Sequence, residues 1–131
     1  MDYSEASTRA LIAARELAEL SHGEVWVLHP RERELAAKAG AVPPNESSGE
    51  ARAAVDESVD LLTRAGIRAH GEVRTTFYGY AGHEIVNDAK EHDVDVIVMG
   101  TKGRGDLAGL VLGSTAHKVI HLADRPVLIT R

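Results

Sequence analysis

The chain has 131 residues, of which 44% are hydrophobic and 27% charged, and this predicts a single globular domain over residues 1–131. It contains no cysteine, which excludes disulfides, thiolate zinc sites and cysteine nucleophiles. The net charge of −5 argues against general binding of nucleic acid through its phosphates. No apolar run reaches the ~18 residues of a membrane span and no signal peptide is recognisable, so we expect a cytoplasmic protein without membrane contact.

The first half of the chain begins with an amphipathic helix. Ser4 is a favourable N-cap and Gly23 is placed to end the helix. A short apolar run over 25–28 predicts a buried strand, a short charged helix is expected over 31–38, and 40–49 is a polar loop. The apolar stripe of the first helix is predicted to be Ala6, Ala10, Ala13, Leu17 and Leu20.

The second half continues the alternation of helix and strand. A capping box over 47–50 begins a helix that stops at Gly66. The strand over 94–99 is apolar on both faces except at Asp95, which is typical of parallel sheets covered on both sides. Strands separated by helices predict an α/β fold, a doubly wound, Rossmann-like parallel sheet with helices on both faces. The remaining predicted elements are a strand over 67–76, helices over 83–92 and 114–123, and a strand over 127–130.

A glycine-rich loop follows the strand over 94–99 and is the most informative spacing in the chain. Gly100 and Gly103 lie at the carboxyl end of that strand, where α/β sheets bind ligands. Gly113 and Ser114 open the last helix, whose free N–H groups and dipole favour a phosphate. A nucleotide lying along this loop satisfies these features. The alternative is that the glycines only shape a turn and cap a helix.

Other patterns in this loop and in the helix after it are less specific. Lys102 and Arg104 supply two cations beside the expected phosphates. The segment 103–108 matches the dinucleotide pattern G-x-G-x-x-A, but only the terminal strand follows it, so the required βαβ unit is missing. The pair His117 and His121 has metal-ligand spacing on the last helix but no third ligand, and we expect an exposed helix face and no metal site.

The stretch over 94–131 resembles the C-terminal half of the universal stress protein family. That family carries G-x2-G-x9-G-[ST] after a strand like VDVIVMG, then a helix and a last strand like PVLIT. Earlier in the chain, DYSEAS resembles the family's D-x-S-E turn, VWVLH its second strand and GYAGHEIV the turn into its third helix. The glycine spacing is similar to that of the family branch that binds ATP.

The resemblance implies a nucleotide, ATP or AMP, at particular residues. It places Asp2 near the adenine or ribose, where the carboxylate could also assist a Mg²⁺ bound to the phosphates. One departure is Pro30, which falls at or next to a base-contacting position and has no N–H to offer. The other residues implied are Met99 and Gly100 at the base and ribose, and Gly103, Gly113, Ser114 and Thr115 at the phosphates.

The function implied is that of a regulatory, nucleotide-binding protein of the stress response, forming a homodimer through the last strand, Val127–Thr130. No nucleophile, general base or catalytic metal cluster is recognisable, so an enzyme is not expected. Two alternatives stay open: a dimeric interaction module that no longer binds nucleotide, and a slow ATPase or autophosphorylating protein modified at Ser114.

The chain opens on a helix, whereas each later long helix follows a strand. Compared with the family, the sequence is therefore one strand short at its start. A missing central strand would leave two neighbouring strands with unpaired backbone groups. We expect that a strand precedes Met1 in the natural protein, or that a partner chain fills the gap.

Overall fold

The computed structural model describes residues 5–33, 35–36, 40–41, 48–101 and 112–131. The helices are α1 (Glu5–Ser21), α2 (Ser48–Arg64), α3 (Ala81–Glu91) and α4 (Ser114–Leu122). The strands are β1 (Glu24–Arg33), β2 (Leu35–Ala36), β3 (Gly40–Ala41), β4 (Arg68–Phe77), β5 (Ile97–Gly100) and β6 (Val127–Thr130). None of these helices is long and apolar enough to cross a membrane.

The main strands form two parallel pairs. β1 pairs with β4 over ten residues, from Glu24 opposite Arg68 to Arg33 opposite Phe77. β5 pairs with β6 over four residues. We call these pairs the β1–β4 half-sheet and the β5–β6 half-sheet. Parallel strands joined through helices confirm the predicted doubly wound, Rossmann-like α/β fold.

Each side of the fold has its own apolar cluster. On one side, α2 packs on β1 and β4, and its Val55 and Leu62 are almost completely buried. On the other side, α3 packs on α4, and Val119 is buried against Ile97 of β5. Helix α1 packs on β1, β5 and β6 and so connects the two half-sheets.

Two local predictions are wrong. A helix was expected over 31–38, but β1 continues to Arg33 and residues 35–36 form β2, because β4 offers a ten-residue partner for β1. In α1, Leu17 and Leu20 were expected to face the core but are 37% and 82% exposed. Small residues bury the face of α1 instead, since Ala6, Ala10 and Ala18 bring this helix close to the strands.

Candidate functional site

A cavity of about 800 Å³ lies along β1, from Val25 to Glu32, and reaches the carboxyl end of β5. It brings together, in one wall, residues from β5, from the start of α4 and from the segment between them. The predicted site residues that line it are Met99, Gly100, Gly113, Ser114 and Thr115. The other two, Asp2 and Gly103, lie outside the described residues, as do Lys102 and Arg104.

Two backbone hydrogen bonds hold the start of α4 beside the end of β5. The Thr101 N–H donates to the carbonyl oxygen of Thr130 at 2.8 Å, which continues the pairing of β5 with β6 by one residue. The Gly113 N–H donates to the carbonyl oxygen of Thr101 at 2.9 Å. The chain leaves β5 and returns to within one hydrogen bond of it before α4 begins.

The start of α4 has the properties of an anion-binding site. Gly113 is the N-cap, with an extended backbone (φ −62°, ψ 157°) and no side-chain hydrogen bond to the helix. The first helical N–H groups have no carbonyl partner within their own helix and carry the positive end of its dipole. Ser114 is exposed at this point and Thr115 is half-buried. Both line the cavity, so their hydroxyl groups can add donors to a bound phosphate.

Gly100 is required by the packing of α1. A Cβ atom at this position would approach the Cβ atom of Ala6 to 2.8 Å and its backbone carbonyl carbon to 2.9 Å. The Thr130 hydroxyl donates to the carbonyl oxygen of Ala6 at 3.0 Å, which fixes the first turn of α1 against the sheet. The glycine at the end of β5 therefore lets α1 approach the sheet beside the cavity.

The opposite wall comes from β1 and from the turn after β4. His29 is buried and Pro30 lies inside β1, in register with Arg74, so the strand continues past the position at which it was expected to end. Tyr78 is 68% exposed, lines the cavity, and was not predicted as a site residue. The only sequence signal for it is its place before Gly79, whose φ of 86° ends the strand in a turn.

The described lining of this cavity carries an acidic group and no lysine or arginine. Glu32 lines it, and the Glu32 carboxylate accepts a hydrogen bond from the Gly79 N–H. Within the described lining, the positive potential for an anion therefore comes from helix N-termini, that of α4 among them, and from no lysine or arginine.

A second polar cluster surrounds Arg74, away from the glycine loop. Its guanidinium contacts the carboxylates of Glu72 at 3.0 Å, Asp88 at 3.1 Å and Glu84 at 3.6 Å, and forms a further ion pair with Glu91. Burial, followed by the neighbouring Glu72 carboxylate, raises the pKa of Asp88 to about 6. The cluster joins β4 to α3.

This cluster also contains three groups of metal-ligand type. Ligand atoms of Glu72, Asp88 and His92 lie within 4.8 Å of one another. The Arg74 guanidinium contacts two of these three residues, so a cation already occupies the centre of the cluster. Beside it, the Trp26 ring stacks between the rings of His92, at 3.7 Å between centroids, and His70, at 4.1 Å. We interpret the cluster as structural.

Two histidines of α4 and the aspartate before β5 were also singled out in the sequence, and all three side chains are exposed. His117 and His121 are both exposed on α4, with ring centroids 5.8 Å apart, as expected. Asp95 is exposed and precedes β5, which begins only at Ile97. Asp95, the one charged residue in this apolar run, therefore lies in the segment just before β5 and not within the strand.

The sheet, the glycine spacing and the helix N-terminus at the cavity define a class of small α/β proteins with a ligand site at the carboxyl ends of their strands. The model of the universal stress protein family matches residues 1–131. The chain is 35% identical over 140 residues to the universal stress protein YxiE of Bacillus subtilis, covering 100% of this chain and 95% of that protein. The chain belongs to the universal stress protein family.

Solved structures of universal stress proteins share the fold. One from Archaeoglobus fulgidus superposes with a TM-score of 0.80 at 25% identity, covering 100% of this chain and 93% of that one. Another from the same organism was solved in complex with dAMP and superposes with a TM-score of 0.75 at 24% identity, covering 100% of this chain and 92% of that one.

Proposed function

We propose that this protein binds an adenine nucleotide, ATP in the first instance, in the cavity at the carboxyl ends of β1 and β5, and that it acts as a regulatory protein of the stress response. The observation that carries the proposal is the α4 N-terminus, which is held beside the end of β5 and opens into a cavity of about 800 Å³. A universal stress protein of the same fold was solved with dAMP, which supports the choice of an adenine nucleotide.

The phosphates are proposed to lie at the start of α4. Gly113 has no side chain to block access to the first N–H groups of α4. Ser114 and Thr115 offer their N–H groups and hydroxyls as donors to the phosphate. The ribose and base are proposed to lie along Met99 and Gly100. The resemblance adds Asp2 on the base or ribose side, Gly103 at the phosphates, and Mg²⁺ as an accompanying ion, and these remain predictions.

The base end of the cavity differs from the family pattern at Pro30. A backbone N–H at this point would read the adenine edge, and proline cannot supply it. The loss of one such hydrogen bond is worth about 0.5–1.5 kcal/mol, or roughly a 2- to 13-fold change in affinity. We therefore propose that the protein distinguishes ATP from GTP only weakly. The exposed Tyr78 ring offers a stacking surface that any base can use.

Titration calorimetry on the wild type and a charge-introducing variant tests this function. Ser114→Glu places a carboxylate in the first turn of α4, where it suits the helix dipole but repels a phosphate, so we expect a stable protein with at least tenfold weaker ATP binding. Ser48→Glu is the matched control, since Ser48 is the exposed first residue of α2. It should bind ATP like the wild type.

The outcomes separate the alternative functions. No heat with ATP, ADP, AMP or cyclic AMP would contradict nucleotide binding and favour the interaction module. Equal weakening by both glutamate variants would place the phosphates elsewhere. Release of phosphate from ATP above the background rate, lost in Ser114→Glu, would favour the slow ATPase.

We also propose a homodimer formed through β6. In the described residues β6 pairs only with β5, so its outer edge is free to pair across a two-fold axis, and Leu128 on this strand is 40% exposed. Light scattering after size exclusion should give about twice the monomer mass.

A further inference from the structure

The Arg74 cluster joins β4 to α3, and three of its side chains bring ligand atoms to one point. Glu72 comes from β4, Asp88 from α3, and His92 is the C-cap residue of that helix. Asp88 and His92 are four residues apart and therefore lie on the same face of the helix. His92 Nε2 is 3.3 Å from Asp88 Oδ1 and 3.6 Å from Glu72 Oε2, and all three ligand atoms lie within 4.8 Å of one another.

These distances match the separation of ligands around a zinc ion. With bonds of about 2.0–2.2 Å, tetrahedral geometry places two ligand atoms about 3.3–3.6 Å apart. A hydrogen bond between imidazole and carboxylate would be shorter, at about 2.7–3.2 Å. The spacing therefore suits a shared cation better than a direct bond between the side chains.

Two of the ligand atoms are buried without a hydrogen bond. Asp88 is only 5% exposed, and neither its Oδ1 nor the Nε2 of His92 has a hydrogen-bond partner among the described residues. Buried polar atoms are nearly always paired, so two such atoms that face each other require an explanation. A metal ion bonded to both satisfies them together.

Arg74 supports these ligands and leaves their facing atoms accessible to one another. Its Nε donates to Glu72 Oε1 at 3.0 Å, so the other oxygen, Oε2, is the one near His92. Its Nη2 lies 3.1 Å from Asp88 Oδ1, as an ion pair without a hydrogen bond. A carboxylate oxygen has two lone pairs, so Oδ1 can bind a metal and keep this contact. Arg74 thus has the position of an outer partner that orients two ligands.

The charge and the donor types favour a divalent transition metal. Glu84 and Glu91 also contact Arg74, so four carboxylates surround one guanidinium and negative charge is in excess. Ca²⁺ and Mg²⁺ take oxygen ligands, whereas an imidazole beside carboxylates suits Zn²⁺. Three protein ligands leave the fourth position of a tetrahedral zinc ion to water.

We propose that Glu72, Asp88 and His92 form a zinc site that joins β4 to the C-terminal end of α3, with water as the fourth ligand. The metal bonds to Glu72 Oε2, Asp88 Oδ1 and His92 Nε2, and so adds to the structural role of the cluster. The proposal does not depend on nucleotide binding, because none of the three ligands lines the cavity at the start of α4.

Zinc titration with Trp26 as the reporter tests the site. Trp26 is the single tryptophan, and its ring stacks on that of His92 at 3.7 Å between centroids. ZnCl₂ is added to chelator-treated protein at pH 7.5 with Mg²⁺ in excess, and calorimetry gives the stoichiometry. We expect a saturable change in tryptophan emission that is complete at one zinc per chain. The absence of a saturable response would overturn the proposal.

A matched pair of variants separates ligation from general attraction to negative charge. Glu72→Gln and Glu91→Gln each remove one carboxylate that contacts Arg74, and both side chains are partly exposed, at 39% and 59%, so both proteins should fold. Glu72→Gln should weaken zinc binding at least tenfold, because it removes a ligand, and Glu91→Gln should change it by less than about threefold. Equal weakening by the two variants would show that zinc responds only to the charge of the cluster and would overturn the site.

A second pair distinguishes this site from adventitious binding at the surface. His121 is exposed on α4 beside His117, with a spacing that can hold a metal weakly. Calorimetry should show zinc binding at least tenfold weaker in His92→Gln and unchanged in His121→Gln. The reverse result would mean an adventitious ion only and would overturn the proposal. Circular dichroism confirms that each variant is folded, and if Glu72→Gln fails to fold, the histidine pair decides.

Discussion

The two half-sheets are stabilised in different ways. The β1–β4 half-sheet has ten-residue strands paired along their full length, and α2 covers it with almost completely buried side chains. The β5–β6 half-sheet has only four paired residues, but it is tied to other elements by long-range hydrogen bonds. Arg125 donates to the carbonyl oxygens of Ala89 and Val94, and the Thr130 hydroxyl donates to the carbonyl oxygen of Ala6.

Both half-sheets contribute to the cavity, β1 to one wall and β5 to the other, but they are positioned by different elements. Ten consecutive residue pairs fix β1 and β4 relative to each other. A local change in this half-sheet should therefore affect stability more than it affects the cavity. The ends of β5 and β6 depend on α1 and α4, which also form the cavity. Changes in the β5–β6 half-sheet should therefore affect ligand binding and stability together.

The largest expected effects come from emptying the two apolar clusters. Leu62→Ala, beside β1 and β4, and Ile97→Ala, in β5, should each lower the free energy of unfolding by about 2–5 kcal/mol in urea denaturation. Only Ile97→Ala should also weaken ATP binding, because β5 carries Met99 and Gly100 into the cavity. If a folded Leu62→Ala variant also bound ATP more weakly, the claim that only the β5–β6 half-sheet couples stability to ATP binding would be wrong.

A pair of glycine substitutions gives a smaller and more local effect. Gly100→Ala forces a Cβ atom against the backbone of Ala6, and Gly71→Ala forces one against the side chains of Val55 and Val59. Each should cost about 1–3 kcal/mol of stability. Gly100→Ala should also weaken ATP at least tenfold, as it displaces α1 beside the cavity, while Gly71→Ala should leave the affinity within twofold. Calorimetry on both variants would contradict the account if their ATP affinities fell equally.

The smallest effect concerns pH and the Arg74 cluster. The pKa of Asp88 is raised from 3.8 to about 6, so the folded protein holds this proton more tightly than the unfolded chain. Between pH 4 and 6 the Asp88 contribution therefore falls as the pH rises. Asp88→Asn removes this contribution. The unfolding free energy of the wild type, relative to that of the variant, should therefore fall as the pH rises through this range. A constant difference from pH 4 to 7 would show that Asp88 titrates normally.

Local signals in the sequence predicted most of the fold. Gly66 ends α2 with a φ of 84°, as its place after the helix suggested, and β6 has the predicted bounds Val127–Thr130. The helix expected over 31–38 was wrong because charged residues obscured a strand whose stability comes from pairing with β4, 44 residues further along. Neighbouring residues in the sequence do not indicate which strand a segment pairs with when its partner is 44 residues away.

The candidate site was predicted in part for the same reason. Glycines and a helix start are local, so Gly100, Gly113 and Ser114 could be selected from their spacing, and the structure brings them to one cavity. Tyr78 and the Arg74 cluster could not, because each depends on which strand end or helix face meets another element. The packing of Gly100 against Ala6 likewise joins residues at opposite ends of the chain.

The most direct test of the central claim is to locate the nucleotide by NMR. ATP is titrated into ¹⁵N-labelled protein while the backbone amide signals are followed. We predict saturable shifts concentrated at Gly100, Gly113, Ser114 and Thr115, with little change at Gly71 in the β1–β4 half-sheet. Shifts that are absent, or that concentrate around Gly71 and the Arg74 cluster, would contradict a nucleotide site at the start of α4.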